Sequence, residues 1–539
     1  MHTFLKLSLS ITAIAVCYTS SANDNKKGIE FYNAGLLNTA KSILKDNIQK
    51  GDVNQAEACY YLGEIYYDSN SPDSASYYYK EGIKANPLYA FNLIGDAKLT
   101  LKSNPVEAGK VISTILKAKT ARKDPALWIA AAKAYFTSGA SKEKALEYLE
   151  KAKTIDPKYA ETYVLEGDIY SAAKNYGNAS SSYEQAIYFD PNCYHAYLKS
   201  SRIYSNLNIQ SSIDMMKRLL EVYPKSPIAE KELAELYYKN GQLLKAKEVY
   251  AEHIKSGYAT NADKARYANL IYFAEDYGQS LSIVKEVLAV EPDNIVMKRL
   301  LMYNLLKLQD YIQGIVAAKD FMKSAKPEDF ISSDYVNYGQ LLSENNEYKA
   351  SITAFETALK MDSSRVDLFR EIGYSYEKLN DYANAIINYK SYVDKLGGQV
   401  TAKDYFDLGK VYYFAGNTLD TTAVNNDARI KYYQEADSLF QRVANLAPDN
   451  YLGTFWQGRI NALIDPTSEK GLAKPYYEAA TTLLEKDNSS PQLLIECYRY
   501  LGYFHYLKDD FEQSKIYWNK ILAIEPTNEL ALTALKGMK

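Results

Sequence analysis

Apolar residues recur along most of the chain at helical spacing, in paired segments separated by short polar turns. Residues 160–192 show the pattern clearly, with one apolar face repeating up to Tyr170 and a second repeating from Tyr176 to Ala186. Side chains three and four residues apart share one face of a helix, so each pair predicts two amphipathic helices that form a hairpin. A proline that cannot continue the second helix follows many pairs, at Pro87, Pro157, Pro191, Pro292, Pro448 and Pro526.

The paired segments repeat with a period of about 34 residues. In the clearest copy the recurring positions are Tyr163, Gly167, Tyr170, Tyr176, Ala179, Tyr183, Ala186 and Pro191, and another copy has Leu62, Gly63, Tyr66, Ala75, Tyr79 and Pro87. This pattern resembles the tetratricopeptide repeat. The resemblance implies an all-α solenoid, a right-handed superhelix of stacked helix–turn–helix hairpins whose concave wall usually carries the partners. We expect the small residue of each first helix to face an alanine of the second.

The pattern divides the chain into five parts. Residues 1–22 form a predicted signal peptide, and residues 23–415 form the first part of the repeat array. Residues 416–431 are polar and lack helical periodicity, which predicts an inserted loop that projects from the solenoid. Residues 432–528 form the last part of the array, which has about fourteen repeats in all. Residues 529–539 predict a last helix that covers the open end of the array.

The first residues are typical of a secretory signal. A mildly basic start is followed by the apolar run 7–16 and by the small residues Ser20, Ser21 and Ala22. No later segment is long and apolar enough to predict a transmembrane helix. We therefore expect an exported protein of the periplasm or cell envelope. The alternative is a lipoprotein signal in which Cys17 carries a lipid anchor, although Val16 departs from the small residue usual before that cysteine.

Composition narrows the function classes. The chain has 539 residues, of which 47% are apolar, with 63 basic and 66 acidic side chains. That balance excludes a disordered chain and argues against a nucleic-acid partner. The 52 tyrosines require a structural cause, which the repeats supply. The cysteines outside the signal, Cys59, Cys193 and Cys497, are predicted to be buried thiols because they are far apart and lack a CxxC neighbour.

Catalytic motifs are absent from the sequence. It contains no GxxxxGK[ST], GxSxG or HExxH. His195, His253 and His505 fall in different repeats, so we predict no metal site, no cofactor and no enzymatic activity.

The candidate site follows from the first-helix positions that should face the concave wall. In the second half of the array these positions combine aromatic rings with cations, the residue types enriched at binding hot spots. They are Tyr238, Tyr272, Arg299, Tyr303, Arg370, Tyr374, Lys410, Tyr413, Arg459, Arg499, Tyr503 and Tyr506. In the first half the corresponding positions are mixed in charge (Glu64, Lys133, Asp168 and Arg202), and no site is predicted there.

These residues suggest two functions. The first is a non-catalytic scaffold for protein–protein interactions, in which the wall binds an extended, acidic or carboxylate-bearing protein segment because arginine pairs with carboxylates. The alternative is a module that binds glycan or peptidoglycan on the tyrosine rings. Carbohydrate sites favour tryptophan, and the chain has only 3.

Overall fold

The computed structural model describes residues 25–50, 54–419, 423–487 and 490–538. The predicted signal peptide and Cys17 lie outside the described residues. Within the described part all regular structure is helical, as the repeat pattern predicts. None of these helices combines the length and the apolar character needed to span a membrane. The chain divides into an N-terminal unit, residues 1–276, and a C-terminal unit, residues 277–539.

The N-terminal unit contains seven hairpins, α1–α2 to α13–α14, followed by α15, among its described residues. The helices are α1 (Lys26–Asn33), α2 (Leu37–Lys50), α3 (Gln55–Asp68), α4 (Pro72–Ala85), α5 (Phe91–Lys98), α6 (Pro105–Lys117), α7 (Pro125–Thr137), α8 (Lys142–Ile155), α9 (Ala160–Ala172), α10 (Tyr176–Phe189), α11 (Tyr194–Tyr204), α12 (Ile209–Val222), α13 (Pro227–Lys239), α14 (Leu243–Lys255) and α15 (Asn261–Phe273).

The C-terminal unit begins with α16, continues with the hairpins α17–α18 to α27–α28 and ends with α29. The helices are α16 (Tyr277–Val290), α17 (Ile295–Lys307), α18 (Tyr311–Ser324), α19 (Ser332–Glu344), α20 (Tyr348–Met361), α21 (Asp367–Lys378), α22 (Tyr382–Leu396), α23 (Ala402–Thr418), α24 (Ala423–Leu446), α25 (Leu452–Ile464), α26 (Lys474–Asp487), α27 (Pro491–Leu507), α28 (Phe511–Ile524) and α29 (Glu529–Gly537).

Turn chemistry sets the ends of the helices. Within several hairpins one residue adopts positive φ, such as Lys174 at 57° between α9 and α10. The next residue, Asn175, caps the second helix by accepting a hydrogen bond from the backbone N–H of Asn178. The second helices then end two residues before the prolines that the sequence marks, as α10 does at Phe189 before Pro191. Local sequence therefore determines where most of these helices start and stop.

The close packing inside each hairpin differs from the expected pairing of small residues. In most hairpins whose first helix has a buried glycine, that glycine lies against an aromatic ring of the second helix, not against an alanine, although Gly28 lies against Leu44. Gly167 contacts the ring of Tyr183, and a Cβ atom at Gly339 would lie 2.6 Å from Cε1 of Phe355. A glycine leaves room for the whole ring, which explains why buried tyrosines recur at this position of the second helix.

The inserted loop predicted at 416–431 is wrong for the residues that the structure describes. Helix α23 continues through Gly416 to Thr418, and α24 already begins at Ala423. The ring of Tyr433 packs on Gly416, and its hydroxyl donates a hydrogen bond to Oδ1 of Asn417 over 2.7 Å. Asp427 is exposed in the first turns of α24. These polar turns lack an apolar period because they extend into solvent, not because they are irregular.

The last helix occupies the position where the sequence predicts one. Asn528 caps α29 by accepting a hydrogen bond from the backbone N–H of Ala531 over 3.1 Å. Ala531 and Met538 are buried in the core that α26, α27 and α28 form. Helix α29 therefore packs on the final hairpin and contributes to the cavity described next.

Candidate functional site

A cavity of about 600 Å³ lies in the C-terminal unit, and α27 provides most of its polar and aromatic lining. The lining positions on α27 are three or four residues apart, so they form one face of the helix. They are Glu496, Arg499, Tyr500, Tyr503 and Tyr506. Residues of α29 line another part of the wall, namely Leu530, Thr533, Ala534 and Gly537. The structure thus brings three of the predicted residues, Arg499, Tyr503 and Tyr506, into one cavity.

The packing between α27 and α28 positions this face. A Cβ atom at Gly502 would lie 2.9 Å from Cε2 and Nε1 of Trp518, so only glycine leaves room for the indole. Trp518 is buried and also lines the cavity. Because the indole packs against the helix backbone at Gly502, the neighbouring Tyr503 remains free to face outward, with 47% of its surface exposed.

The charges in the cavity are only partly compensated. Arg459 binds Glu496 through both nitrogens, with Nε–Oε1 and Nη2–Oε2 distances of 2.7 and 2.6 Å. Tyr477 also donates a hydrogen bond to Glu496. Arg499 is exposed, and no ion pair or hydrogen bond of its side chain is found within the described part of the chain. The cavity therefore presents aromatic rings and one uncompensated guanidinium, which suit an apolar side chain and a carboxylate.

Arg370 and Tyr374 lie in a second, smaller cavity of about 240 Å³ in the same unit. Lys403 and Asp407 of α23 form part of its lining. The guanidinium of Arg370 is 3.2 Å from Oε1 of Glu371, and 39% of the Tyr374 surface is exposed. This cavity is more polar than the first, and the aromatic residues among its described lining are Tyr374 and Tyr389.

Two of the predicted residues, Arg299 and Tyr303, bind a buried carboxylate of the chain itself. Arg299 forms a bidentate pair with Asp334, whose side chain is 0% exposed, and Tyr303 donates a hydrogen bond to the same carboxylate over 2.8 Å. These contacts hold α17 against α19. Like Arg459, Arg299 already binds a carboxylate of its own chain, so neither is available as a clamp for a partner.

The remaining predicted residues are dispersed. Lys410 lies over the ring of Phe406, and the Tyr413 ring is 5.1 Å from that of Trp456. Tyr238 and Tyr272 belong to the N-terminal unit, where the Arg266 guanidinium covers the Tyr238 ring and Phe273 contacts Tyr272. The structure thus distributes the twelve positions over several local environments.

No site was predicted in the first half of the array, yet a cavity of about 390 Å³ lies there, in the N-terminal unit. Its lining includes Tyr32 of α1, Lys133 of α7 and Lys199 of α11. The ammonium of Lys133 donates a hydrogen bond to the Tyr32 hydroxyl over 3.1 Å, and Lys199 pairs with Asp168 at 2.6 Å. The charged first-half positions are thus paired within the fold, Lys133 with Glu64, Asp168 with Lys199 and Arg202 with Glu232.

A buried carboxylate lies beneath this cavity. Glu64 pairs with Lys98 and Lys133 and accepts a hydrogen bond from the Tyr79 hydroxyl over 2.7 Å. Burial alone would raise the pKa of Glu64, but the two ammonium groups and the hydrogen bonds lower it to about 2. The carboxylate is thus held ionised in the core of the N-terminal unit.

The cavity wall also contains a cluster that the sequence did not reveal. Nε2 of His195 is 2.9 Å from Oε2 of Glu161 and 3.9 Å from Sγ of Cys193. Burial would lower the pKa of His195, yet the Glu161 carboxylate and the hydrogen bonds raise it to about 10. Glu161 and His195 are one repeat apart and so take equivalent places on stacked first helices. Their separation of 34 residues, which equals the repeat period, is the sequence feature that could have predicted this contact.

The stacked hairpins define an α-helical repeat protein. Tetratricopeptide-repeat models match residues 125–159, 160–193, 195–226 and 338–399. These residues therefore form tetratricopeptide repeats, as their repeating positions indicate.

Individual relatives resemble only parts of the chain. Anaphase-promoting complex subunit 3 of Schizosaccharomyces pombe is 21% identical over 151 residues, which are 28% of this chain and 23% of that subunit. The chain thus spans less than a quarter of this curated relative.

Solved structures also match in part. The C-terminal part of a TPR repeat-containing protein from Cytophaga hutchinsonii is 24% identical, with a TM-score of 0.43 over 50% of this chain and 99% of that one. YrrB, described as a TPR protein with an unusual peptide-binding site, is 21% identical, with a TM-score of 0.29 over 38% of this chain and 91% of its own. With TM-scores this low, the superpositions add nothing to the assignment made by the family models.

Proposed function

We propose that the chain is a non-catalytic scaffold for protein–protein interactions and that the cavity beside α27 binds an extended segment of a partner protein. The observation that carries this proposal is the combination of exposed Tyr503 and Tyr506 with the unpaired Arg499 on one face of one helix. Tetratricopeptide repeats are protein-interaction modules, which supports the general class of this function.

The chemistry of the cavity favours a particular kind of segment. Its lining is mostly apolar and aromatic, so it can shield one apolar side chain from water. Arg499 can bind a carboxylate that follows or precedes that side chain, because a guanidinium forms two parallel hydrogen bonds with a carboxylate. We therefore propose a segment in which an apolar anchor lies beside an acidic residue or a C-terminal carboxylate.

The place of action is part of the same proposal. A basic start, an apolar run and small residues before residue 23 support export to the periplasm or cell envelope. The proposed partners are accordingly proteins of the envelope or of a secretion machine.

The test is crosslinking in intact cells followed by affinity purification of the chain. The test variant combines Arg499→Glu with Tyr503→Ala, since both residues are exposed and neither holds the fold together. Its matched control combines Arg442→Glu with Tyr188→Ala, which changes the same residue types on the exposed faces of second helices. We expect a partner that wild type and control recover and that the test variant loses.

Two results would contradict the proposed site. Equal recovery by all three proteins would place binding elsewhere on the chain. Absence of any protein partner, together with selective binding of a glycan that Tyr503→Ala abolishes, would favour the alternative of a glycan- or peptidoglycan-binding module. The exposed tyrosine rings are the observation behind that second candidate.

A further inference from the structure

Three potential metal ligands converge at the wall of the N-terminal cavity. The donor atoms Oε2 of Glu161, Sγ of Cys193 and Nε2 of His195 all lie within 4.8 Å of one another. Cys193 and His195 are buried, whereas 42% of the Glu161 side chain is exposed. Glu161 and His195 both line the cavity, which provides a route for an ion from solvent.

We propose that Glu161, Cys193 and His195 bind one Zn²⁺ ion as a carboxylate, a thiolate and a neutral imidazole, with the displaced protons passing to solvent and water from the cavity as the fourth ligand. The proposal is independent of the partner site, because it rests on other residues in the other unit.

The arrangement of the three donors indicates one common centre. Glu161 and Cys193 both approach the same ring nitrogen of His195, whereas a catalytic relay would place the acid and the nucleophile on opposite ring nitrogens. Zinc bonds of about 2.0–2.3 Å put tetrahedral donors roughly 3.4–3.6 Å apart. The observed distances of 2.9 Å between nitrogen and oxygen and 3.9 Å between sulfur and nitrogen lie on either side of that range. The exposed part of Glu161 leaves its carboxylate free to adjust.

The donor set selects among metals. Zinc accepts sulfur, nitrogen and carboxylate oxygen in one site. Calcium and magnesium prefer ligand sets made only of oxygen, and Cu(I) prefers soft sulfur ligands over a carboxylate. A site with three protein ligands and one open position has the coordination typical of zinc with a bound water.

The fold holds these ligands in place. Glu161 lies in the first turn of α9, and His195 lies in the first turn of α11, one repeat later. Cys193 is the residue that caps the start of α11. The nearest cations do not compete freely for the carboxylate, because Lys199 is paired with Asp168 and Lys133 is paired with Glu64.

A bound ion would link neighbouring repeats. Because contacts in a solenoid are mainly between neighbours, a bond between α9 and α11 would couple two hairpins directly. Metal that binds only the folded state stabilises it by mass action. Zinc is therefore expected to raise the melting temperature of the N-terminal unit.

The experiment uses the full chain, purified under reducing conditions and stripped of metal with a chelator. Zinc is titrated against a chromophoric competitor, and Co²⁺ serves as a spectroscopic probe because a cobalt–thiolate bond gives a charge-transfer band. We expect one ion per chain and a charge-transfer band in the wild-type protein. Cys193→Ser should lose the band, and the matched control Cys497→Ser, which changes a buried thiol in the other unit, should keep it.

A second variant separates the loss of a metal ligand from the loss of the folded structure. Glu161→Gln changes a partly exposed side chain and should weaken zinc binding at least about tenfold, the loss typical even for a residue that only supports a ligand. Circular dichroism should show an unchanged helical content in this variant. Failure of the wild-type protein to compete for zinc would overturn the proposal. Undiminished binding by Cys193→Ser and Glu161→Gln would also overturn it, because the ion would then be bound elsewhere.

Discussion

The contact between Gly167 and Tyr183 offers a direct test of how the hairpins pack. A Cβ atom at position 167 would touch Cε1 of Tyr183 and would lie 2.6 Å from Cδ1 and 2.9 Å from Cζ. Favourable carbon contacts lie at about 3.5–4.0 Å, so a single methyl group overlaps three ring atoms. The ring has little freedom to move aside, because it is 2% exposed and its hydroxyl is hydrogen-bonded to Asp168 over 2.8 Å.

Two opposing effects determine the result of Gly167→Ala. Overpacking a close contact costs about 1–3 kcal/mol. Replacing glycine inside a helix recovers about 0.5–1 kcal/mol, because the unfolded chain loses conformational freedom. We therefore expect a net loss of up to about 2.5 kcal/mol in the free energy of unfolding, centred on about 1 kcal/mol. Gly167→Leu should lose more, because its longer side chain must displace the ring completely.

The matched control lies in the same hairpin. Gly177 is in α10, and a Cβ atom there would meet nothing within 4 Å. Gly177→Ala should therefore leave stability unchanged or raise it by up to about 1 kcal/mol. A double variant with Tyr183→Leu should lose less than the sum of its two single changes, because removal of the ring relieves the overlap.

The assay must resolve local stability, since a repeat array need not unfold in one step. Urea unfolding followed by circular dichroism reports the whole chain. Hydrogen exchange of peptides from α9 and α10 reports the altered hairpin, with peptides from α19 and α20 as the internal reference. A Gly167→Ala protein as stable as Gly177→Ala would refute the packing proposed here.

Two further predictions concern buried charge. Glu64 has a pKa of about 2 in the fold against an ordinary value of 4.5, so its contribution is complete above pH 4.5 and is lost as the pH falls towards 2. The free energy of unfolding should therefore fall more steeply over that window in the wild-type protein than in Glu64→Gln, as measured by urea unfolding at each pH. Arg299→Ala should cost about 3–5 kcal/mol because it leaves the fully buried Asp334 without its ion pair. Arg365→Ala, which removes a more exposed pair, should cost less than about 1 kcal/mol, and a similar midpoint for both variants would contradict this reasoning.

In the candidate site, helical spacing predicts which residues share a face of one helix but not which residues pair between hairpins. Arg499, Tyr503 and Tyr506 share one face because of their positions along α27, which is a local property readable from sequence. Spacing alone could not show that Arg459, predicted for the same role, is bound to Glu496 in the next hairpin. Glu496 lies 37 positions away along the chain, and whether the two side chains come into contact depends on how neighbouring hairpins stack.

The sequence by itself determined the repeat, the hairpins and most helix ends, because periodicity, prolines and capping residues act over a few neighbouring positions. It misjudged the segment at 416–431, where exposed helical turns lack the apolar period that identifies a helix. Only the tertiary structure decided that aromatic rings pack on the glycines and that Arg299 pairs with the buried Asp334. It also decided that the donor atoms of Glu161, Cys193 and His195 lie close together. These facts depend on distances between residues of separate helices, which packing sets and local patterns do not record.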